Sequence, residues 1–180
     1  GSTIQNNANA EISSINTRIQ TNKLNNFGLI DGDTTVIKAN DVNNIGTARI
    51  YGGHLAIQAN NLNNLENADG TAATIAARER LDLGVGNLVN RNHSLIMSLG
   101  NIYIGGQLNE NNQATGYANS IDNGSATIEA LESGWINTHH LLNQDLHLKL
   151  GKKVEKERID EYSLGSDTHR YREGRDGHFY

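Results

Sequence analysis

An aliphatic residue followed by two asparagines recurs along this chain, as Leu24-Asn25-Asn26, Val42-Asn43-Asn44 and Leu62-Asn63-Asn64. The second Asn of each triplet lies 18 and then 20 residues after the one before it, and Leu88-Val89-Asn90 continues the series after 26 residues. Asparagine is unfavourable inside both helices and strands, so its return at a nearly constant interval indicates a structural repeat. A repeat of about 20 residues leaves few possible folds.

Short strand-like runs lie between these Asn landmarks. They are TTVIKA (34–39), HLAIQA (54–59), RLDLGV (80–85), NIYIGG (101–106) and SATIEA (125–130). Each run alternates or is rich in β-branched residues, and each is bounded by Gly, Asn or Asp, which is typical of strands. No helical period is present before residue 138, and the L-x-x-L-x-L pattern of leucine-rich repeats is absent. We therefore predict an all-β parallel β-helix, whose coils pair with those above and below at a spacing of about 4.8 Å.

The Asn residues are predicted to occupy the corners of this β-helix. Asn tolerates a left-handed backbone and hydrogen-bonds locally, as corners require. When the same corner recurs, stacked amide side chains can also bond to one another along the array. The predicted corner positions are Asn25, Asn26, Asn43, Asn44, Asn63, Asn64 and Asn90.

Composition narrows the function classes. Aromatic residues make up 5 % of the 180 residues and charged residues 19 %, which argues against an ordinary enzyme core packed from large side chains. The chain has no Cys, and this excludes disulfides, thiol catalysis and Cys-ligated zinc. The net charge of −5 gives no support to nucleic-acid binding. No apolar run approaches the roughly 20 residues of a membrane-spanning helix.

Composition also divides the chain. All 26 Asn lie between Asn6 and Asn143, whereas residues 151–180 carry 14 of the 35 charged residues, seven of each sign. We predict a partial coil or fragment edge at residues 1–19, a repeat β-helix at 20–137, and a charged non-repeat extension at 138–180. That extension is interpreted as a cap or as the start of a further domain, since an open β-helix end exposes unpaired strands.

Two irregular intervals interrupt the repeat, and both are candidates for recognition. The longer interval before Asn90 fits a loop at residues 66–73 (ENADGTAA), and residues 107–124 form a second departure. Loops that emerge from a regular scaffold often carry binding determinants.

The best candidates for metal ligands in the sequence are three histidines, His139, His140 and His147. No HExxH pattern accompanies them, so we interpret them as surface or junction residues and predict neither a metal nor another cofactor. Asp31 and Asp33, in the sequence DGD, are interpreted as turn residues. A calcium β-roll requires repeated Gly-Gly-x-Gly-x-Asp units. The spacing also gives this pair no counterpart one coil later, at residues 49–53 (RIYGG).

Two further segments resemble catalytic ones only in composition. GVGNLVNRNHS (84–94) is rich in Gly but lacks the Lys-Ser/Thr of a phosphate loop, so we expect a corner there. The extension is too short for a nuclease-like domain, although it carries the residue types that nucleases use: Asp160, Glu161, His169 and His178. Its aromatic residues predict that it packs against something: Tyr162, Tyr171, Phe179 and Tyr180.

The stretch LNNFGLIDGDTTVIKANDVNNIGTARIYGGHLAIQANNLNNLE resembles the haemagglutinin repeats of two-partner secretion exoproteins. That group includes filamentous haemagglutinins and CdiA-type proteins of contact-dependent growth inhibition. The repeat unit, an Asn-rich corner followed by Gly-x-Ile/Leu and a strand, can be read three times between Leu24 and Asn64, and a looser match continues to Ile104. The resemblance covers residues 20–136.

The resemblance implies a right-handed parallel β-helix that forms part of a long, monomeric filament without enzymatic activity. It also implies export by an outer-membrane partner transporter to the bacterial cell surface or the medium. There the filament presents adhesive or receptor-binding regions, or holds a C-terminal toxin away from the producing cell; the receptor itself is unidentified.

Two alternatives stay open. One is a carbohydrate-active β-helix enzyme, such as a polysaccharide lyase or a tailspike-like hydrolase, which requires charged side chains of successive coils to converge on one groove. The other is a receptor-binding or toxin module that begins in the C-terminal extension.

Overall fold

The computed structural model describes residues 1–151, 161–163 and 170–172. Within them the chain is all-β and has no helix. It divides into two units, Gly1–His147 and Leu148–Tyr180, which are described separately. The strands of the first unit are β1 Thr3–Asn6, β2 Glu11–Gln20, β3 Lys23–Asn26, β4 Leu29–Ile45, β5 Arg49–Leu65, β6 Thr74–Arg91, β7 Leu95–Ser98, β8 Asn101–Gly105, β9 Gln107–Leu108, β10 Ala114–Thr115, β11 Ala118–Gly124, β12 Thr127–Ala130, β13 Gly134–Ile136 and β14 Thr138–Gln144. In the second unit, β15 Glu161–Ser163 pairs antiparallel with β16 Arg170–Arg172.

The first unit is a parallel β-helix. The long strand β4 pairs in parallel with β5, and β5 with β6, so that Ile37 lies beside Ile57 and Ile57 beside Leu83. The pairing continues from β6 to β7, β8 and β11, and from β11 to β14. Each coil therefore adds its strands directly onto those of the coil before it. The prediction of an all-β parallel β-helix is confirmed.

Three columns of inward-facing aliphatic side chains form the core, and each column defines one face of the β-helix. Face 1 carries Ile12, Ile30, Ile50, Ile75, Ile96 and Ile128. Face 2 carries Ile19, Ile37, Ile57, Leu83 and Ile104. Face 3 carries Ile4, Leu24, Val42, Leu62, Leu88 and Ile121. Leu141 continues this column in the last coil, where it is exposed. A buried Ile or Leu side chain contributes about 1.5–3 kcal/mol, and stacked aliphatics fill this thin core without large rings.

A column of amide side chains runs beside the aliphatic column of face 3. Nδ2 of each Asn donates a 2.8 Å hydrogen bond to Oδ1 of the Asn in the next coil. The members of this inner ladder are Asn6, Asn26, Asn44, Asn64, Asn90, Asn123 and Asn143. The second hydrogen of the amide goes to a backbone carbonyl, for example from Asn44 to Thr74 and from Asn90 to Thr127, both at 3.0 Å. Both amide hydrogens of the six buried members, from Asn6 to Asn123, are thereby satisfied.

Further ladders lie on the outside, and their hydrogen bonds run in the opposite direction. Nδ2 of Asn43 donates to Asn25, and Nδ2 of Asn63 donates to Asn43, each at 2.9 Å. Two more outer ladders join Asn22, Asn40 and Asn60, and Asp41, Asn61, Asn87 and Asn119. Neighbouring Asn residues thus serve different ladders, because successive side chains of a strand point to opposite faces.

The backbone of the seven predicted corner positions differs from the expectation. All seven lie within strands β3 to β6, and the second Asn of each pair points into the core. The described non-Gly residues with left-handed φ are others: Asn9, Asn92, His93, Asn112 and Ser125. What recurs at the Asn pairs is the stacked hydrogen bonding that the repeat predicts, within extended backbone.

Both irregular intervals are insertions between strands. A turn closed by an isolated antiparallel bridge between Glu66 and Ala72 separates β5 from β6, as the loop at 66–73 predicts. A hairpin of β9 and β10 separates β8 from β11. Parallel pairing begins with β1 on β3 and reaches Gln144 in β14.

Candidate binding site

A buried acidic group lies on the outer side of face 2. Asp82 points outward from β6, yet its side chain is fully buried. Nε2 of His54, on β5, lies 2.9 Å from Oδ2 of Asp82. Arg80 makes a bidentate contact with the same carboxylate: Nε lies 2.5 Å from Oδ2, and Nη2 lies 2.9 Å from Oδ1. The backbone N–H of Ala114 in the inserted hairpin donates to Oδ1 at 2.8 Å and closes the group from solvent.

The electrostatics of this group are those of a satisfied ion pair. Burial alone would raise the pKa of Asp82, but the hydrogen bonds from His54, Arg80 and Ala114 outweigh it, and the pKa lies below its ordinary value. The same hydrogen bond to Asp82 raises the pKa of Arg80. Asp82 is therefore ionised at neutral pH and holds the hairpin to the face.

Glycine permits the hairpin to lie directly on the sheet. A Cβ at Gly84 would stand 2.4 Å from the backbone carbonyl carbon of Gln107, so no larger residue fits. The side chain of Gln58 bridges the two parts, because its Nε2 donates to the carbonyl of Gly84 at 3.0 Å and its Oε1 accepts from the N–H of Leu108 at 2.6 Å. This region belongs to the second irregular segment that the sequence indicates.

A cation and two rings are stacked along the outer side of face 2. The guanidinium carbon of Arg80 lies 3.9 Å from the centroid of the Tyr103 ring. On the other side of Tyr103, the ring of Trp135 is parallel to it at 4.7 Å. Trp135 remains 50 % exposed. These contacts tie three successive coils together.

A groove opens on the outer side of face 1. It has a volume of about 410 Å³ and is mostly apolar. The outward column here runs from Asp31 through Tyr51 and Ala76 to Met97, so a small residue stands between two large ones. The lining residues are Tyr51, Thr74, Ala76, Ala77, Arg78, Leu95, Met97 and Leu99.

One lining residue of this groove, Arg78, is held in an ion pair with Asp31, which lies outside the lining. Nη1 and Nη2 of Arg78 each lie 3.2 Å from Oδ1 of Asp31, and Nη2 also donates to the carbonyl of Gly32 at 2.6 Å. Asp31 therefore has a charged partner, although residues 49–53 of the next coil provide none. The partner comes from two coils later rather than one, because an extra residue at 77–80 lets Arg78 reach back over β5. Asp33 is exposed and does not join this pair.

The three candidate histidines are not brought together. His139 stacks on Tyr117, with ring centroids 5.5 Å apart, and His147 stacks on His93 at 5.8 Å. His140 is exposed on β14. Among the described residues, no group of three or more His, Asp or Glu side chains is arranged to hold a metal ion.

The remaining sequence candidates are structural or lie outside the described residues. Residues 84–91 belong to strand β6 and residues 92–94 to the turn that follows, with left-handed φ at Asn92 and His93. Of the extension, Glu161, Tyr162 and Tyr171 lie in β15 and β16. Asp160, His169, His178, Phe179 and Tyr180 lie outside the described residues.

Sequence reasoning missed Tyr51, Arg78, Met97 and the Asp82 group. One signal was available, since Ala76 is a small residue whose partners on the two adjacent strands, Tyr51 and Met97, are large. Comparison with protein-family models, curated proteins and solved structures finds no match. In the part of the chain that the structure describes, no helix is long and apolar enough to cross a membrane.

Proposed function

We propose that this chain is a structural and adhesive segment of a large secreted bacterial surface exoprotein, acting in cell contact, adhesion or contact-dependent toxin delivery. The observation that carries the proposal is the unbroken inner ladder, which keeps one register while coil length changes from 18 to 33 residues. A scaffold of this kind holds inserted loops at fixed positions along a rigid body.

The resemblance to haemagglutinin repeats supports the same proposal. From this resemblance we infer export by an outer-membrane partner transporter and a location at the cell surface or in the medium. We also infer the role of a monomeric filament segment. The surface of the described coils adds the hairpin of face 2 and the groove of face 1 as places for a ligand. Neither nucleic-acid binding nor an enzymatic role is part of the proposal.

A carbohydrate-active enzyme is the second candidate, because charged side chains from different coils do converge, in the Asp31–Arg78 pair and in the Asp82 group. Each carboxylate is already paired with a guanidinium, however. Cleavage of a glycosidic bond by the common route uses two carboxyl groups on either side of that bond, one of which must exchange a proton. This chemistry favours binding over hydrolysis. A receptor-binding module in residues 138–180 is the third candidate.

Binding to intact cells tests the proposal. Fluorescently labelled full-length chain is titrated onto bacterial and epithelial cells, and the same preparation is incubated with a panel of polysaccharides. We expect saturable cell binding and no release of reducing ends or unsaturated sugars. Catalytic release of sugars would establish the enzymatic alternative, and absence of saturable binding to every cell type would overturn the adhesive role. Loss of cell binding on removal of residues 148–180, the second unit, would move recognition to that part of the extension.

A further inference from the structure

We propose that the groove on face 1 binds a single pyranose ring of a neutral carbohydrate. The inference rests on the proposed adhesive function and names its ligand class. Tyr51 and Met97 form the two ends of the site and Ala76 forms its floor. Its polar rim is Arg78, whose ion-pair partner Asp31 lies outside the lining.

The size of the groove follows from the sheet geometry. Tyr51, Ala76 and Met97 are consecutive members of one outward column. Neighbouring strands lie about 4.8 Å apart, so the two large side chains stand about 10 Å apart over the small one. The volume of about 410 Å³ is at the small end of the range for ligand sites. It accommodates one ring of an oligosaccharide, with the rest of the chain outside.

The lining matches the apolar side of a sugar ring. Tyr51 contributes an aromatic ring to the lining, and the electron-rich face of such a ring attracts the polarised C–H bonds that a pyranose carries on one side. Leu95, Met97 and Leu99 complete an apolar surface around Ala76. Leu99 is 52 % exposed, so covering it with a ligand removes apolar area from water.

The polar side chains at the rim of the groove can hydrogen-bond to the hydroxyl groups of a sugar. Arg78 and Asp31 present a donor and an acceptor side by side, 3.2 Å apart. Among the described residues, nothing bonds to Oδ2 of Asp31 or Nε of Arg78. One hydroxyl of a vicinal pair can accept from the guanidinium while the next donates to the carboxylate.

The charge of the rim favours a neutral ligand over an anionic one, and the strand pairing of the floor disfavours a peptide. The rim pair sums to zero charge, and Asp31 repels an anionic ligand, so a neutral ligand fits best. An extended peptide binds a sheet by adding to a free strand edge. Strand β6, which forms the floor, is already paired with β5 on one side and β7 on the other. No edge is offered to a peptide at the floor of this groove.

Saturation-transfer difference NMR on the full chain tests the inference. The probes are the methyl glycosides of glucose, galactose, mannose and N-acetylglucosamine, with methyl glucuronide as the charged comparison. Ala76→Leu fills the groove and Tyr51→Ala removes its wall. Tyr117→Ala is the matched control, because Tyr117 is 64 % exposed and does not line the groove.

We expect at least one neutral glycoside to bind, and its affinity to fall at least about tenfold, or 1.4 kcal/mol, in both groove variants. The control variant should bind as the unaltered chain does. Circular dichroism checks that each variant is folded, and Ala76→Leu keeps the test valid if Tyr51→Ala does not fold. The inference is overturned if no neutral glycoside binds, if only the glucuronide binds, or if Ala76→Leu leaves affinity unchanged. Cell binding that persists in Ala76→Leu would refute this ligand assignment while leaving the adhesive function standing.

Discussion

Nδ2 of Asn90 donates a 2.8 Å hydrogen bond to Oδ1 of Asn123, although 33 residues separate the two along the chain. The bond from Asn64 to Asn90 has the same length across 26 residues. The stacking distance is therefore independent of how much chain each coil contains. A net hydrogen bond is worth about 1 kcal/mol, but a buried polar group left without a partner costs about 1–3 kcal/mol, so the ladder opposes any misplacement of a coil.

Removing one Asn side chain from the inner ladder should strongly lower the free energy of unfolding. Asn64→Ala deprives Asn44 of its acceptor and Asn90 of its donor, and both remain buried. We expect the free energy of unfolding to fall by about 3 kcal/mol, from two unsatisfied groups together with the small cavity left behind. Urea unfolding followed by far-UV circular dichroism measures the change.

The neighbouring residue provides the control. Asn63 has the same side chain but belongs to an outer ladder with access to water. Asn63→Ala should cost less than about 1 kcal/mol, since water replaces the lost bond. Equal costs for the two substitutions would contradict a special role for the inner ladder.

The buried carboxylate on face 2 predicts a pH dependence. The pKa of Asp82 lies below its ordinary value in the folded chain, so the stabilisation is complete above about pH 4 and is lost as the pH falls through the folded pKa. Asp82→Asn should therefore destabilise by about 3 kcal/mol at pH 7, and the difference from the unaltered chain should shrink below pH 4. Asp33→Asn, at an exposed carboxylate, should change little at either pH. A difference for Asp82→Asn that stays constant with pH would show that its ionisation is irrelevant.

The close approach at Gly84 makes the hairpin sensitive to one methyl group. Gly84→Ala places a Cβ 2.4 Å from the backbone of Gln107, so we expect the hairpin to lift from face 2 at a cost of about 1–3 kcal/mol. A Glu-specific protease should then cut faster after Glu110, near the hairpin tip. Gly134→Ala, where the nearest atom to the new Cβ is 4.0 Å away, should leave the cleavage rate unchanged. Unchanged cleavage in Gly84→Ala would mean that the hairpin is not held by this contact.

The loop between β5 and β6 should be dispensable for folding. Residues 66–73 occupy the place that Gly46, Thr47 and Ala48 occupy one coil earlier, where Gly46 adopts a left-handed φ of 65°. Replacing residues 66–73 by Gly-Thr-Ala should change the free energy of unfolding by less than about 1 kcal/mol, because loop length contributes only weakly. Urea unfolding again provides the measurement.

A one-residue deletion within a strand is the register control for that replacement. Deleting Asn61 from β5 moves Leu62 from the core to the outer surface and reverses every residue up to the next turn. We expect this small deletion to prevent stable folding while the larger loop replacement does not. Comparable stabilities would show that the amide and aliphatic columns do not define the register.

The fold could be predicted because the same types of side chain recur at equivalent positions of the coils, so the repeat is visible in the sequence. The Asn pairs and the alternating runs were sufficient for the parallel β-helix. Three ladder members, Asn6, Asn123 and Asn143, were not predicted. Gln5, Asp122 and Leu142 stand before them, where the triplets carry their first Asn. The shared pattern is an aliphatic residue two positions before the inward Asn, as in Ile4-x-Asn6 and Ile121-x-Asn123, and it follows from the two-residue period of a strand.

The candidate site was not predictable, because its contacts depend on how far each coil is shifted by an insertion. Arg78 meets Asp31 across 47 residues, and Ala114 meets Asp82 across a hairpin of which only the irregular spacing shows in the sequence. Interval counting identifies where a coil departs from the repeat. It does not show which outward side chains the departure brings together.

The opposed directions of the ladders have an electrostatic consequence. Six side-chain hydrogen bonds of the inner ladder point toward the C-terminal coil. Seven in the outer ladders point the other way. In an α-helix, aligned peptide dipoles add up to partial charges at the two ends. Here the side-chain dipoles largely cancel, so a stack of such coils can lengthen without accumulating charge at its ends.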